Sequence, residues 1–242
     1  RLKQASNEEI EKFLAEHGDL PQIGWMKLRW LRWLTERGEW STFADYYDPA
    51  LNFTELDCLY GQYLFRANLP VEANAQAQKL WLVGKSQPEA CDALFSQWQR
   101  SGGLTDELRW QRAKLAAEAG QYGLASSLIR QLPGLTHKGQ LLVEVAQKPQ
   151  LLKQTGKFVP ADRQMADVVG LGLRRMARQN PEQAIEWLEF YGNRLPFSSE
   201  EKVAIARSIG LTLAKRFDAR ALKVMAQYDP ELRDNTVSEW RT

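Results

Sequence analysis

Apolar residues recur at the spacing of an α-helix along nearly the whole chain, and the alternating pattern of β-strands is absent. The first helix is predicted to begin after Ser6, which forms the spacing of a capping box with Glu9, and to end at Gly18. Gly, Asn and Pro mark the short turns between segments. The pattern predicts an all-α fold, with further helices at 22–37, 40–48, 54–67, 71–84, 88–100, 105–119, 122–132, 137–146, 149–155, 161–179, 181–194, 199–216 and 218–228.

The turns between these helices recur in related settings. They are ERGEW (36–40), RANLP (66–70), EAGQY (118–122), AQKPQ (146–150), RQNPE (178–182) and KRFDA (215–219). Most lie roughly 30 to 37 residues apart, near the period of stacked helix pairs. We therefore predict a right-handed α-superhelix of stacked antiparallel helix pairs, a solenoid of tetratricopeptide type, with its tightest contact at Ala119 and Gly120. The alternative is a compact helical bundle.

Composition and charge exclude several classes of protein. Of the 242 residues, 44% are hydrophobic, which is enough to fill a core. The 32 basic and 30 acidic residues give a formal net charge of +2, which is not the clustered excess of a nucleic-acid-binding protein. No run approaches the roughly 20 apolar residues that span a bilayer. The opening Arg-Leu-Lys-Gln has no signal-peptide pattern, so we expect a mature or trimmed product.

Residue types that carry chemistry are sparse. The two histidines, His17 and His137, have no Cys or carboxylate at the spacing of metal ligands, so no metal site is predicted. The glycines of VVGLGLRRM (168–176) lie inside an amphipathic helix rather than after a strand, and we expect them to permit close helix contact. Acidic pairs at helix N-termini are interpreted as caps rather than catalytic dyads. The sequence predicts no catalytic residue and no cofactor.

Tryptophan is in excess, with nine in the chain and three in IGWMKLRWLRWL (23–34). Trp30 and Trp33 share a helical face that could stack on sugar rings or bases, and the alternative is that they fill the core between helix pairs. Arg174 and Arg178 could line an inner face that attracts an acidic polymer, together with Arg29, Arg32 and Arg175. The alternative for these arginines is a solvated face with local ion pairs.

The chain has two cysteines, Cys58 in FTELDCLYGQYLF and Cys91 in QPEACDALFSQW, separated by one helix pair. Stacked repeats place such helices side by side, so a disulfide is geometrically plausible. Closing a loop of about 33 residues would add roughly 3 to 4 kcal/mol in the chain-entropy model, and the bond would indicate an oxidising compartment. The alternative is two buried free thiols in a cytosolic protein.

A family resemblance lies in the middle of the chain. The residues that carry it are the Cys58 helix, LWLVGKSQPEACDALFSQWQRSG (80–102) and LRWQRAKLAAEAGQYGLASSLIRQLP (108–133). They resemble the superhelical region of the soluble lytic transglycosylases of Gram-negative bacteria, strongly over 50–135 and elsewhere only in the rhythm of helix pairs. The resemblance implies the periplasm, a U-shaped superhelix before a lysozyme-like catalytic domain, and a disulfide that matches Cys58 and Cys91.

The resemblance also implies a reaction, the cleavage of the β-1,4 bond between N-acetylmuramic acid and N-acetylglucosamine of peptidoglycan to leave a 1,6-anhydro end. In the family one Glu acts as acid and then as base. The family's Glu-Ser, Gly-Leu-Met-Gln and Ala-Tyr-Asn-Ala-Gly motifs do not occur in this sequence, so no residue inherits the catalytic role. We therefore expect 1–242 to be a single superhelical domain fragment, cut before the linker and catalytic domains.

Three functions remain open at this point. The first is a non-catalytic scaffold of such an enzyme, with Trp30, Trp33, Arg174 and Arg178 as candidate glycan contacts. Its expected partners are glycan strands, the catalytic domain of the parent chain and other cell-wall enzymes, with no nucleic acid and no membrane span. The second is a free-standing peptide-binding adaptor of tetratricopeptide type. The third is an enzyme complete in these residues.

Overall fold

The computed structural model describes residues 5–18, 20 and 22–230 of the chain. These residues form thirteen α-helices and no β-strand, which confirms the predicted all-α class. The helices are α1 (Asn7–Glu16), α2 (Ile23–Glu36), α3 (Trp40–Tyr46), α4 (Thr54–Arg66), α5 (Pro70–Trp81), α6 (Ala90–Arg100), α7 (Asp106–Glu118), α8 (Tyr122–Ile129), α9 (Thr136–Gln147), α10 (Arg163–Gln179), α11 (Pro181–Gly192), α12 (Ser199–Ala214) and α13 (Arg220–Tyr228).

The helices are grouped into two compact units, one up to Leu108 and one from Arg109 on, so that the division falls within α7. In the first unit α2 packs against α3 and α4, and α4 packs against α5 and α6. In the second unit α10 packs against α9, α11 and α12, and α12 packs against α13. Helices adjacent in sequence thus pack as pairs within each unit, as predicted. A single domain over 1–242 stays a prediction.

Two of the described helices, α1 and α12, begin with a capping box. At the start of α1 the amide of Glu9 donates to Ser6 Oγ at 3.2 Å, and the amide of Ser6 donates to Glu9 Oε2 at 2.8 Å. The same reciprocal pair opens α12 at Ser198 and Glu201. Each box satisfies two backbone donors that a helix otherwise leaves free, so the predicted capping box at Ser6 is confirmed.

Five helix ends share one turn geometry. A residue two or three positions beyond the last helical residue has a positive φ, and these residues are Gly38, Asn68, Gly102, Gly120 and Phe217. In each turn the next amide bonds to the carbonyl five residues earlier, as from Gln121 N to Ala116 O at 2.8 Å. Gly and Asn tolerate this conformation, whereas Phe217, with a φ of 57°, is strained by about 1 kcal/mol or more relative to glycine.

The expected tight contact at Ala119 and Gly120 is wrong. Ala119 is exposed, and a Cβ added to Gly120 would meet no atom within 4 Å. The reason is that these residues form the outer bend of the turn, so that helix packing begins further inside the pair. Gly120 serves the positive φ of the turn, 76°, rather than a close approach.

The predicted helix at 149–155 is also wrong. This stretch forms two short 3₁₀ turns, Pro149–Lys153 and Thr155–Lys157. The segment between Pro149 and Gly156 is too short for its few helical hydrogen bonds to offset the unfavourable free energy of helix nucleation. Such short pieces usually form 3₁₀ turns.

A very close helix contact in the second unit lies at Gly172 of α10. A Cβ at this position would lie 2.4 Å from Val145 Cγ1 and 3.1 Å from Leu152 Cδ1. Real Cβ atoms do not approach this closely, so α10 can contact α9 here only because residue 172 has no side chain. The expectation that the glycines of VVGLGLRRM permit close helix contact is confirmed at Gly172.

Gly172→Ala is expected to lower the free energy of unfolding by about 1 to 3 kcal/mol, because the added methyl group overpacks the contact with Val145. The matched control is Gly123→Ala in α8, where an added Cβ meets no atom within 4 Å. There alanine should stabilise by up to about 1 kcal/mol through helix propensity. Urea unfolding measures both. A shift of the same sign in the two variants would contradict the packing described for α10.

Candidate functional site

A disulfide joins Cys58 of α4 to Cys91 of α6, and both residues are completely buried. The two Cα atoms lie 4.9 Å apart. Gly61 allows the two helices to come this close, since a Cβ there would lie 2.7 Å from Leu94 Cδ2. The predicted disulfide is confirmed, and the alternative of two buried free thiols does not apply.

The two tryptophans proposed as sugar contacts differ in exposure. Trp30 is completely buried and its Nε1 donates a hydrogen bond to Asn7 Oδ1 at 3.3 Å. Trp30 therefore fills the core, the alternative given for it, and a direct glycan contact is not proposed for it further. Trp33 is half-buried, and the guanidinium of Arg37 lies 4.5 Å from its ring centre. Stacking of a sugar on Trp33 would have to compete with this cation.

The two arginines of α10 also differ. Arg174 forms an ion pair with Glu118, which is the local pairing given as the alternative for it. Arg178 is exposed in the last turn of α10 and forms no ion pair with another described residue. Its charge complements the C-terminal end of the helix dipole. A role for Arg178 in binding an anionic ligand stays a prediction.

An apolar groove of about 590 Å³ lies beside α1 and α2 in the first unit. Its lining residues are Phe13, Leu20, Gln22, Ile23, Trp25, Met26 and Arg29. Trp25 is 64% exposed, and its ring centre lies 5.1 Å from that of Phe53. Arg29, one turn further along α2, is exposed and forms no ion pair within the described ranges. The groove therefore presents an aromatic face beside a cation. The aromatic face can stack on a ring, and the cation can bind a carboxylate.

Sequence reasoning missed Trp25, although the helical phase of α2 contains the signal. At 100° per residue Trp25 falls on the same face as Arg29, Arg32 and Glu36, all of them charged. Trp30 falls on the opposite side, where Leu31 and Leu34 are also completely buried. The tryptophan that shares its face with charged residues is the exposed one.

Among the described residues, every carboxyl group whose pKa is shifted has a lowered pKa. A hydrogen bond from Arg220 lowers the pKa of Asp218 to about 2. A hydrogen bond from Arg163 likewise holds the pKa of Glu201 below its ordinary value, although burial opposes it. The carboxyls with lowered pKa values are Asp162, Glu182, Glu201 and Asp218. These groups are stabilised as anions, and such groups accept hydrogen bonds rather than donate protons.

The described residues hold neither a metal-binding cluster nor a membrane-spanning helix. No three or more His, Cys, Asp or Glu side chains of the described ranges are grouped so that they could hold a metal ion. None of the helices in this part of the chain has the length and apolar character needed to cross a membrane.

Comparison with known proteins finds several lytic transglycosylases and one short match to an unrelated family model. A family model described as cucumovirus coat protein matches residues 61–154, which is less than half of the chain. The soluble lytic murein transglycosylase of Escherichia coli is 28% identical over 176 residues. That alignment covers 72% of this chain and 27% of the relative.

Solved structures of lytic transglycosylases match nearly the whole chain. An inactive mutant of the lytic transglycosylase Slt from Pseudomonas aeruginosa is 65% identical, with a TM-score of 0.96 over 100% of this chain and 39% of that one. The 70-kDa soluble lytic transglycosylase of Escherichia coli is 22% identical, with a TM-score of 0.67 over 98% of this chain and 38% of that one, and shows the fold alone.

The chain thus spans between about a quarter and two fifths of the length of these relatives. Its fold agrees with that of the Pseudomonas structure, and its residues agree with that protein at nearly two positions in three. On this likeness in sequence and in structure, the chain belongs to the family of the soluble lytic transglycosylases.

Proposed function

We propose that this chain is the non-catalytic helical scaffold of a periplasmic lytic transglycosylase of peptidoglycan. The observation that carries the proposal is the agreement of its whole length with a limited part of a solved lytic transglycosylase. The parent enzyme cleaves the β-1,4 bond between N-acetylmuramic acid and N-acetylglucosamine and leaves a 1,6-anhydromuramoyl end. Partners of the scaffold are the catalytic domain of the same parent chain, glycan strands and other cell-wall enzymes.

Four carboxyl groups of the described residues lack the raised pKa that a catalytic acid needs. Glycosidic cleavage requires a carboxylic acid whose pKa is raised, so that it carries a proton to the leaving oxygen. The described carboxyls with a resolved shift have lowered pKa values because cations or backbone amides bind them, as Lys138 binds Asp162. Such groups stay ionised at neutral pH and are poor general acids.

The periplasmic location is supported by the disulfide between Cys58 and Cys91. Disulfides persist in oxidising compartments and are rare in the bacterial cytosol, where thiols are kept reduced. The bond joins two completely buried residues, which places it in the interior of the first unit, where it acts on stability rather than at an exposed redox site.

The groove beside α1 and α2 is the part of the scaffold best suited to contact a glycan. The exposed indole of Trp25 offers a face on which a sugar ring can stack. Arg29 offers charge-assisted hydrogen bonds to a carboxylate of the peptide stem that a muramoyl residue carries. Trp33 and Arg174 remain proposed contacts that would have to give up their present partners, Arg37 and Glu118. Arg178 remains a proposed contact and is exposed.

The purified chain is expected to bind peptidoglycan sacculi without releasing anhydro-muropeptides. Trp25→Ala should weaken this binding about tenfold, because one stacked aromatic contact is worth roughly 1 to 1.5 kcal/mol. Co-sedimentation with sacculi measures the binding. Chromatography of the soluble products measures the release, with a full-length family member as the positive control.

Two variants make this test specific. Trp25→Phe keeps an aromatic face and should retain most of the binding, whereas Val71→Ala removes another exposed apolar side chain, 76% exposed, and should change nothing. Anhydro products from the chain alone would overturn the scaffold assignment. Failure to bind sacculi, with capture of specific peptides instead, would favour the adaptor of tetratricopeptide type.

A further inference from the structure

Phe217 is the most exposed large apolar residue of the described chain, with 94% of its surface accessible. It occupies the turn between α12 and α13 with a φ of 57°, where glycine or asparagine is favoured. The four other turns of this geometry among the described residues hold Gly or Asn. An aromatic side chain in a strained and exposed position contributes nothing to the core, which indicates a role outside the fold.

Exposed cations surround this side chain. We define the α12–α13 tip as Lys215, Arg216, Phe217, Leu222 and Lys223. Leu222 is 52% exposed and adds a second apolar side chain. The three cations are exposed, and none forms an ion pair with another described residue. The tip therefore combines two exposed apolar groups with three unpaired positive charges.

The carboxylates beside the tip are already occupied. Arg220 binds Asp218 at 2.5 Å and Glu182 at 2.7 Å. Arg216 lies close enough to lower the pKa of both carboxyls further. Among the described residues of this region, two anions thus face four cations, which gives this part of the chain a net positive charge at neutral pH.

We propose that the α12–α13 tip docks on the surface of an anionic phospholipid bilayer. Phe217 and Leu222 enter the boundary between head groups and acyl chains, and the three cations contact the phosphates. A convex tip needs no complementary pocket in such a surface. A protein partner is less favoured, because lysine is depleted in protein interfaces and two apolar side chains fall far short of the roughly 800 Å² that each partner buries.

The test is flotation of the purified chain with vesicles of phosphatidylcholine and phosphatidylglycerol in equal parts, beside vesicles of phosphatidylcholine alone. We expect binding to the anionic vesicles at least about tenfold stronger. It should weaken as salt rises from about 0.1 M to about 1 M, since the Debye length falls from about 10 Å to about 3 Å. Lys215→Gln combined with Arg216→Gln should weaken it about 25-fold, since each cation contributes roughly fivefold.

Phe217→Gly separates lipid binding from folding. Loss of the ring should weaken binding to anionic vesicles about tenfold, whereas relief of the strained turn should raise the melting temperature. Val71→Ala, in an exposed position of α5, should leave the binding unchanged. Equal binding to both kinds of vesicle, or undiminished binding by Phe217→Gly, overturns the proposal. Binding to polyglutamate without binding to anionic vesicles assigns the tip to an acidic protein and also overturns it.

Discussion

Cys58→Ser is expected to lower the free energy of unfolding by about 3 to 4 kcal/mol. The disulfide closes a segment with a sequence separation of 33, and a cross-link over such a loop stabilises mainly by restricting the unfolded chain. The helix content of the native state should stay unchanged, because α4 and α6 still pack through Gly61 and Leu94. Urea unfolding followed by far-UV circular dichroism measures both quantities.

Two further measurements isolate the effect of the bond from that of the side chain. The double variant Cys58→Ala with Cys91→Ala should lose about as much stability as the reduced wild-type protein. If the two units unfold in separate transitions, only the transition of the unit that contains Cys58 should shift. Thiol labelling of the unreduced, denatured protein should find no reactive sulfur. Two reactive thiols would contradict the bond and remove the support for an oxidising compartment.

The turns between helices were well predicted from the sequence, because they obey a local rule. A helix that ends in this geometry needs a residue that tolerates a positive φ, and Gly38, Asn68 and Gly120 mark such ends directly. The turn at Phe217 was located from the helix pattern around it, but its conformation opposes the preference of the residue. Nothing local in the sequence could therefore have indicated that Phe217 is strained or exposed.

The exposure of the tryptophans was partly predictable. The phase of α2 distinguishes Trp25 from Trp30, but the boundary of the buried face depends on α1 and α4, which pack against it. Ala119 was expected to be buried and is exposed, which likewise could not be read from its own position. Its small side chain fits a tight contact, yet the packing of the pair begins at Ala116 and Ala117, which are completely buried. Small residues indicate where close approach is allowed, and the partner helix decides where it occurs.

Buried polar contacts between distant segments were beyond sequence reasoning. Asp167 lies in an apolar stretch of α10 and is 6% exposed. Its Oδ2 accepts a hydrogen bond from Trp110 Nε1 at 2.7 Å, across 57 residues of sequence. Its Oδ1 accepts from Lys114 Nζ at 2.8 Å and from Arg163 Nη2 at 3.2 Å. Only the folded pairing of α7 with α10 brings these donors to one carboxylate.

Asp167→Ala is expected to lower the free energy of unfolding by about 3 kcal/mol. The indole N–H of Trp110, whose residue is 1% exposed, would be left buried without an acceptor. Lys114 would lose this anion, whereas Arg163 would keep its ion pair with Glu201, and the two side chains are 25% and 48% exposed and can reach water. The loss should therefore lie at the lower end of the range for a broken buried ion pair.

A double-mutant cycle tests whether the bond between Asp167 and Trp110 carries this stability. In a Trp110→Phe background the indole donor is gone, so Asp167→Ala should cost at least about 1 kcal/mol less than in the wild type. Asp167→Asn keeps an acceptor for Trp110 and should lose only the contribution of the charge, about 1 to 2 kcal/mol. Equal costs of Asp167→Ala in the two backgrounds would show that the bond does not stabilise the fold. The stability lost with Asp167 would then belong to its ion pairs alone.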